Sequence, residues 1–367
     1  MPTADELLGK SVVADLAGCL ERASGHTRLA LVRGSASEFD GMSLGERTRV
    51  VRDAMTAELP QDFPVFAEVI RRALSEVTFT GWMIWPVTEA VAVTATRSGS
   101  ESDFDEGMAL LAELTSRLTA EFAIRTFLET NLDRSLAIAL TWTGHEDEHV
   151  RRLATEGTRT RLPWGRRVKE LTARPESTIV ILDQLYRDDS EYVRRSVANH
   201  LNDLSRADSA LAVSTAKRWL QTPDSNTLKI VKHALRTLIK AGDPDALSLL
   251  GFAPPTDVVV EGFVIDREVV DAGGELTFDF AVTNNSSESV TVVIDYIVHH
   301  VKANGTTTPK VFKLTTRTLE PGVPPASRRG IPSNRSVPGS TTRATMPSKC
   351  RSTAYVRYEA SSAWTRE

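Results

Sequence analysis

Two stretches of this sequence combine residue types and spacings that could do chemistry. The first is His145-Glu146-Asp147-Glu148-His149, a literal H-E-x-x-H. On one helix that spacing puts two imidazoles a turn apart with a carboxylate beside them, the ligands and general base of a zinc peptidase. Here Thr143-Gly144 precede the motif, which predicts that His145 lies before the helix and His149 in its first turn. Acids there have a simpler role in capping and in complementing the helix dipole. No metal site is expected. The second stretch begins at Arg152 and Glu156, four apart and so on one helix face. A step of 43 residues leads to Arg195 and Asn199, with Asp203 one turn further on. Between the two runs Gly157-Thr-Arg-Thr-Arg-Leu-Pro-Trp164-Gly165, a helix-breaking loop with two arginines and an aromatic. Phosphate clamps, a stacking ring and carboxylates are what an enzyme acting on a DNA base needs. The same residues also suit salt bridges within helices around a core tryptophan.

Helices must position these residues. Apolar residues recur at three- and four-residue spacing over Leu7–Ala23, Gly45–Leu59, Phe63–Val77 and Phe104–Leu118. Asp62, Ser102 and Asp103 are candidate N-caps. From about residue 130 the helices repeat. Val-Arg-Arg starts at 150 and again at 193, and Leu228–Asp243 overlays Val193–Asp208 at a step of 35. Periods of roughly 35–47 with an acidic turn before an amphipathic helix predict HEAT-type repeats. Such repeats stack into a solenoid with a concave face. After Pro254-Pro255 the pattern changes. Val258–Asp266, Glu275–Thr283, Val290–Val298 and Pro309–Thr318 read as strands bounded by Gly and Asn turns, an immunoglobulin-like sandwich. The fold expected is mainly α: a HEAT-like α-helical solenoid over 1–252, then a small all-β immunoglobulin-like sandwich over 256–322. Residues 323–367 lose periodicity and read as an irregular, disordered tail. A second reading is a frameshifted end of the sandwich: Arg343-Ala-Thr-Met346, written CGC-GCT-ACT-ATG, gives Arg-Tyr-Tyr two bases along.

Composition narrows the class. The chain has 367 residues, 41% hydrophobic and 25% charged, as in globular proteins. No apolar run approaches the ~18–20 residues of a membrane span, so no membrane association is expected. The start, Met1-Pro-Thr-Ala-Asp-Glu6, is acidic where a signal peptide is basic, and the two cysteines, Cys19 and Cys350, suit a reducing compartment. A cytoplasmic location is expected. Net charge is −4, yet Arg151–Arg174 holds eight basic residues against two acidic, a local +6. Nucleic acid responds to such a local face rather than to net charge.

The segments Val150–Trp164, Tyr192–Asp203 and His233–Asp243 resemble the AlkC branch of the HEAT-like alkylpurine DNA glycosylases. So do Val298–Gly305 and Pro309–Phe312 in the strand-rich part. The resemblance spans residues 1–322 and implies an immunoglobulin-like domain after the repeats. It implies excision of cationic N-alkylated bases, chiefly 3-methyladenine, from double-stranded DNA, with no cofactor and no deep base-flipping pocket, by a monomer. It places Glu156 and Asp203 at the lesion, with Glu121 as a third carboxylate. It puts Arg152, Arg159, Arg161, Trp164, Arg166, Arg195, Asn199 and His200 on the DNA, with Arg152 and Arg195 serving either phosphate contacts or orientation of the acids, and gives Lys302, Lys310 and Lys313 as a grip from a sandwich that is otherwise a packing module. The residues alone leave two rivals: a non-catalytic HEAT scaffold that binds DNA or protein, and a zinc hydrolase using His145 and His149.

Overall fold

Helix starts in this chain are written into the sequence as side-chain caps. Thr3 with Glu6 and Ser43 with Glu46 form capping boxes, while Asp62, Asn131, Asp147, Asp208 and Asp243 each accept a backbone N–H from the first turn. Each cap satisfies donors that the helix itself leaves open. The computed structural model describes residues 2–25, 28–250, 257–265, 275–301, 306–322, 326–332 and 353–359. The four helices expected near the N-terminus form at Lys10–Ser24, Leu44–Glu58, Phe63–Leu74 and Glu101–Leu114. Asp62 is a cap as expected, but the last of these helices is capped by Ser100, not by Ser102 or Asp103, which lie inside it. No helix among the described residues is long and apolar enough to cross a membrane.

Two units divide the chain, Met1–Leu235 and Arg236–Glu367. In the first, the helices Glu148–Glu156, Glu191–Leu204 and Thr227–Ala234 pack one on the next. These are the three segments aligned by the sequence repeat, each burying its apolar stripe against its neighbour. The third repeat segment is broken at Leu235, between Thr227–Ala234 and Arg236–Ala241, and the first compact unit ends there.

The second unit carries β1 (Val258–Ile265), β2 (Glu275–Asn284), β3 (Val290–Val301), β4 (Thr307–Leu319), β5 (Ala326–Pro332) and β6 (Thr353–Glu359). They form two antiparallel three-stranded sheets, β1-β2-β5 and β4-β3-β6. Period-2 alternation turns Phe280 and Val282 of β2 and Val290, Val292 and Ile294 of β3 into one shared core with Leu319. Buried Asn284 ties β2 to β4: its Nδ2 donates to the Leu319 carbonyl at 3.1 Å, and its own carbonyl accepts from Gly322 at 2.8 Å. Gly322 has φ +68°, a turn conformation that glycine adopts without steric cost. The tail expected to be irregular supplies β5 and β6, so the sheets extend past Gly322. Pairing with β2 imposes order on β5, whose own strand signal is weak. Arg343–Met346, Cys350 and Lys302 lie outside the described residues.

Close packing in the helical unit depends on Gly107. A Cβ there would lie 2.5 Å from the Ala95 Cβ and 2.8 Å from the Phe127 ring. Gly107→Ala is expected to destabilise the protein by about 1–3 kcal/mol. Thermal denaturation checks this; an unchanged or raised Tm would show that the contact can relax.

Candidate active site

The helix Glu148–Glu156 begins at Asp147, whose carboxylate accepts the His149 N–H at 2.8 Å. His145 lies before it, with Nδ1 accepting from Asp147 N, and His149 sets its ring edge-on to Tyr192. The two histidines therefore do not share a helix face, and the zinc-peptidase geometry is absent.

At its other end the helix stops at Gly157. A Cβ there would meet the Ile124 Cγ2 at 2.7 Å and the Leu153 carbonyl at 2.9 Å. The chain then turns back under the helix, and the turn is gathered by one cation. Arg125 is fully buried and donates to the carbonyls of Gly157 (3.2 Å), Arg159 (2.9 Å) and Arg166 (2.5 Å). Burial lowers its pKa to about 10, which still leaves it charged at neutral pH. Arg125 is not among the residues whose spacing points to chemistry. Its signal was a lone arginine inside the apolar run Phe122–Leu128.

The folded-back loop delivers Arg159 to the acids. Its Nη1 meets Glu156 Oε1 at 2.5 Å and its Nε meets Asp203 Oδ2 at 2.7 Å. Ser196 donates to the other Glu156 oxygen at 2.6 Å. On the other side, Arg152 reaches Glu156 at 3.6 Å, Glu121 Oε2 at 2.6 Å and the Thr119 hydroxyl at 3.1 Å. Its guanidinium also lies 5.0 Å from the centre of the Tyr192 ring. The result is one alternating ladder, Glu121–Arg152–Glu156–Arg159–Asp203, with three acids and two bases. The acid side chains are 12%, 7% and 8% exposed, respectively. Burial raises the Asp203 pKa, and the Arg159 hydrogen bond and charge oppose that rise. Burial also opposes the Arg159 charge, but its two carboxylate partners prevail and raise its pKa. Breaking such a pair leaves an unpaired buried charge, a loss of roughly 3–5 kcal/mol.

All three acids named from sequence thus come together, Glu121 and Glu156 linked by Arg152, and Glu156 and Asp203 by Arg159. The other expected residues divide. Arg159 is buried as the link between two acids, so it orients carboxylates and does not present itself to phosphate. Arg195 is exposed and pairs with Glu191 at 3.5 Å, away from the ladder. Asn199 is half-buried on the same helix. Arg161 is exposed, with no ion pair among the described residues. Arg166 is exposed on Glu129 at 3.1 Å. Trp164 is no core residue: it is 86% exposed and holds φ at +61°. That conformation is strained for a bulky residue. His200 overturns expectation outright. It is fully buried, with Nδ1 against the Thr155 carbonyl at 2.9 Å and Nε2 against the Thr178 hydroxyl at 3.1 Å. It fastens the Glu148–Glu156 helix to the Glu191–Leu204 helix and is enclosed by protein.

Burial, reinforced by the Arg159 charge, lowers the His200 pKa to about 3. An unfolded histidine takes its proton near pH 6.5. Between those values the unfolded chain binds more protons, so stability falls as pH falls, by about 1.4 kcal/mol per pH unit from this group. His200→Gln is expected to show a smaller Tm loss than the parent between pH 7 and pH 5. Equal losses would remove His200 as the cause.

Three comparisons bear on this geometry. The family model described as "Uncharacterised protein YhaZ, C-terminal Ig-like domain" matches residues 259–351, across the expected limit at Gly322. The Uncharacterized protein YhaZ of Bacillus subtilis (strain 168) is 33% identical over 279 residues, covering 76% of this chain and 75% of that protein. Among solved structures, the Pseudomonas fluorescens alkylpurine DNA glycosylase AlkC bound to DNA containing an abasic site analog superposes with a TM-score of 0.78 at 30% identity. The match covers 97% of this chain and 96% of that one. With the helical fold, the acid ladder and the C-terminal sandwich in place, the chain belongs to the AlkC-type family of alkylpurine DNA glycosylases with a C-terminal immunoglobulin-like domain.

Proposed function

We propose that the protein hydrolyses the N-glycosidic bond of cationic N-alkylated bases, chiefly 3-methyladenine, in double-stranded DNA, and so starts base excision repair. The observation that carries this reading is the buried ladder of three carboxylates and two arginines, which holds a net charge of −1 in fixed geometry. Alkylation gives the base a positive charge, so it departs with the glycosidic electron pair as a neutral molecule and needs no proton from the protein. The sugar is left as an oxocarbenium-like cation. Preorganised negative charge beside it favours that transition state over the ground state. A water then adds to the anomeric carbon and gives its proton to a ladder carboxylate. Asp203, at the end of the ladder with its proton affinity raised by burial, suits that role. Arg152 and Arg159 keep the acids in place. Exposed Arg161, Arg166 and Arg195 supply charge for phosphates, and Trp164 supplies a ring for the sugar or base. Nothing in this chemistry demands a deep base-flipping pocket, a cofactor or a partner subunit, and a monomer in the cytoplasm would serve.

The test is release of free 3-methyladenine from methylated duplex DNA by the purified protein. Glu156→Gln and Asp203→Asn are each expected to lower the rate by about 100-fold or more while DNA binding is retained. A folded parent that binds DNA without releasing base would instead be a scaffold.

A further inference from the structure

The ladder does not use Glu89, a half-buried carboxyl in the helix Ile84–Arg97. It lies in a cleft of about 750 Å³ within the helical unit. That volume falls in the ~300–1,000 Å³ range of small-ligand sites. The cleft wall is aromatic. Trp85 stacks on Phe122 with ring centres 4.6 Å apart, and Trp82 lies 6.0 Å from Trp85 at a tilt. Strained, exposed Trp164 also lines the cleft, with Arg166. Of the three arginines around it, Arg52 pairs with Asp53 and Arg166 with Glu129, while Arg49 is exposed with no ion pair among the described residues.

Chemistry selects the occupant. Stacked rings bind a flat π-face, and base–aromatic stacking tolerates any sequence. Glu89 takes a hydrogen bond from Trp85, and a carboxyl has more acceptor sites than that one donor fills, so it favours a donor edge. Burial raises the Glu89 pKa against the charges of Arg166, Arg52 and Arg49. An exposed cation in the lining, Arg49, calls for an anion. A flat ring with an amino edge and an attached phosphate is a nucleotide. The position agrees: Phe122 follows the ladder acid Glu121, and Trp164 is in the loop that delivers Arg159.

We propose that this cleft takes one unstacked nucleotide of the bound DNA, an amino-bearing base such as adenine or cytosine lying on Trp85 and Phe122, its donor edge at Glu89 and its phosphate at Arg49. The proposal rests on the reading of the protein as a DNA glycosylase. It adds a second contact point that helps hold DNA unstacked beside the acids.

Photo-crosslinking tests it. Duplexes carrying an abasic-site analogue are prepared with 5-iodo-2′-deoxycytidine or 5-iodo-2′-deoxyuridine at each nearby position in turn. The protein complex is irradiated and the adducts are mapped by mass spectrometry, with base release from methylated DNA measured on the same preparation. One position is expected to crosslink to Trp82, Trp85 or Phe122, with cytosine favoured over uracil, and Glu89→Gln is expected to erase that preference. Arg49→Ala is expected to reduce the slope of log affinity against log salt by about 1. A complex that forms and releases base, but whose crosslinks avoid Trp82, Trp85 and Phe122, overturns the cleft proposal and leaves the glycosylase reading standing. Absence of both complex and base release overturns both.

Discussion

Alternating charge, packed out of water, is the constraint on which the rest of the helical unit depends. Glu121, Glu156 and Asp203 repel one another, and each is too buried to be satisfied by solvent. They coexist because Arg152 and Arg159 stand between them, each touching two acids. An arrangement of this kind is of little worth to stability compared with a hydrophobic substitute, because desolvating the ions offsets their attraction. Its value lies in geometry. Charges fixed before substrate arrives do not have to reorganise when a cation develops beside them.

Supporting that geometry absorbs much of the neighbouring structure. Arg125 spends all its observed hydrogen bonds on carbonyls of the loop that carries Arg159. His200 and Ser196 tie the Glu191–Leu204 helix to the helix that ends in Glu156. Gly157 is small enough to let the chain double back. The same loop then places Trp164 in solvent in a left-handed conformation. A large exposed ring on strained backbone is unfavourable in isolation, and it is tolerated here because the clamped loop on either side fixes the backbone.

The second unit reaches its fold by other means. Alternation in β2 and β3 supplies the core, and Asn284 satisfies carbonyls where two strands end. Its outer strands, β5 and β6, gain their order from partners far away in sequence. β5, Ala-Ser-Arg-Arg-Gly-Ile-Pro, carries little strand signal of its own, whereas β6, Thr-Ala-Tyr-Val-Arg-Tyr-Glu, is rich in β-branched and aromatic residues but stands far from the other strands in sequence. The paired structure therefore does not end at Gly322.

What the sequence determined by itself is the set of elements and the identity of the acids. Helices and strands follow from apolar periodicity and from caps, which act over a few residues. The step of 43 residues brought Glu156 and Asp203 onto packed neighbours, and family resemblance added Glu121. Tertiary structure alone decided what each polar residue does. Arg195 and Arg152 occupy equivalent places in two repeats, yet one meets solvent and the other two acids, because only Arg152 has Glu121 packed beside it. His200 looked like a groove residue by its helix position but lies wholly between helices. Arg125 drew no notice because its partners are backbone carbonyls 32 to 41 residues away, and carbonyls leave no trace in a sequence. Local order is written in spacing. The partner of a buried charge is set by packing between distant segments, and packing depends on shape in three dimensions.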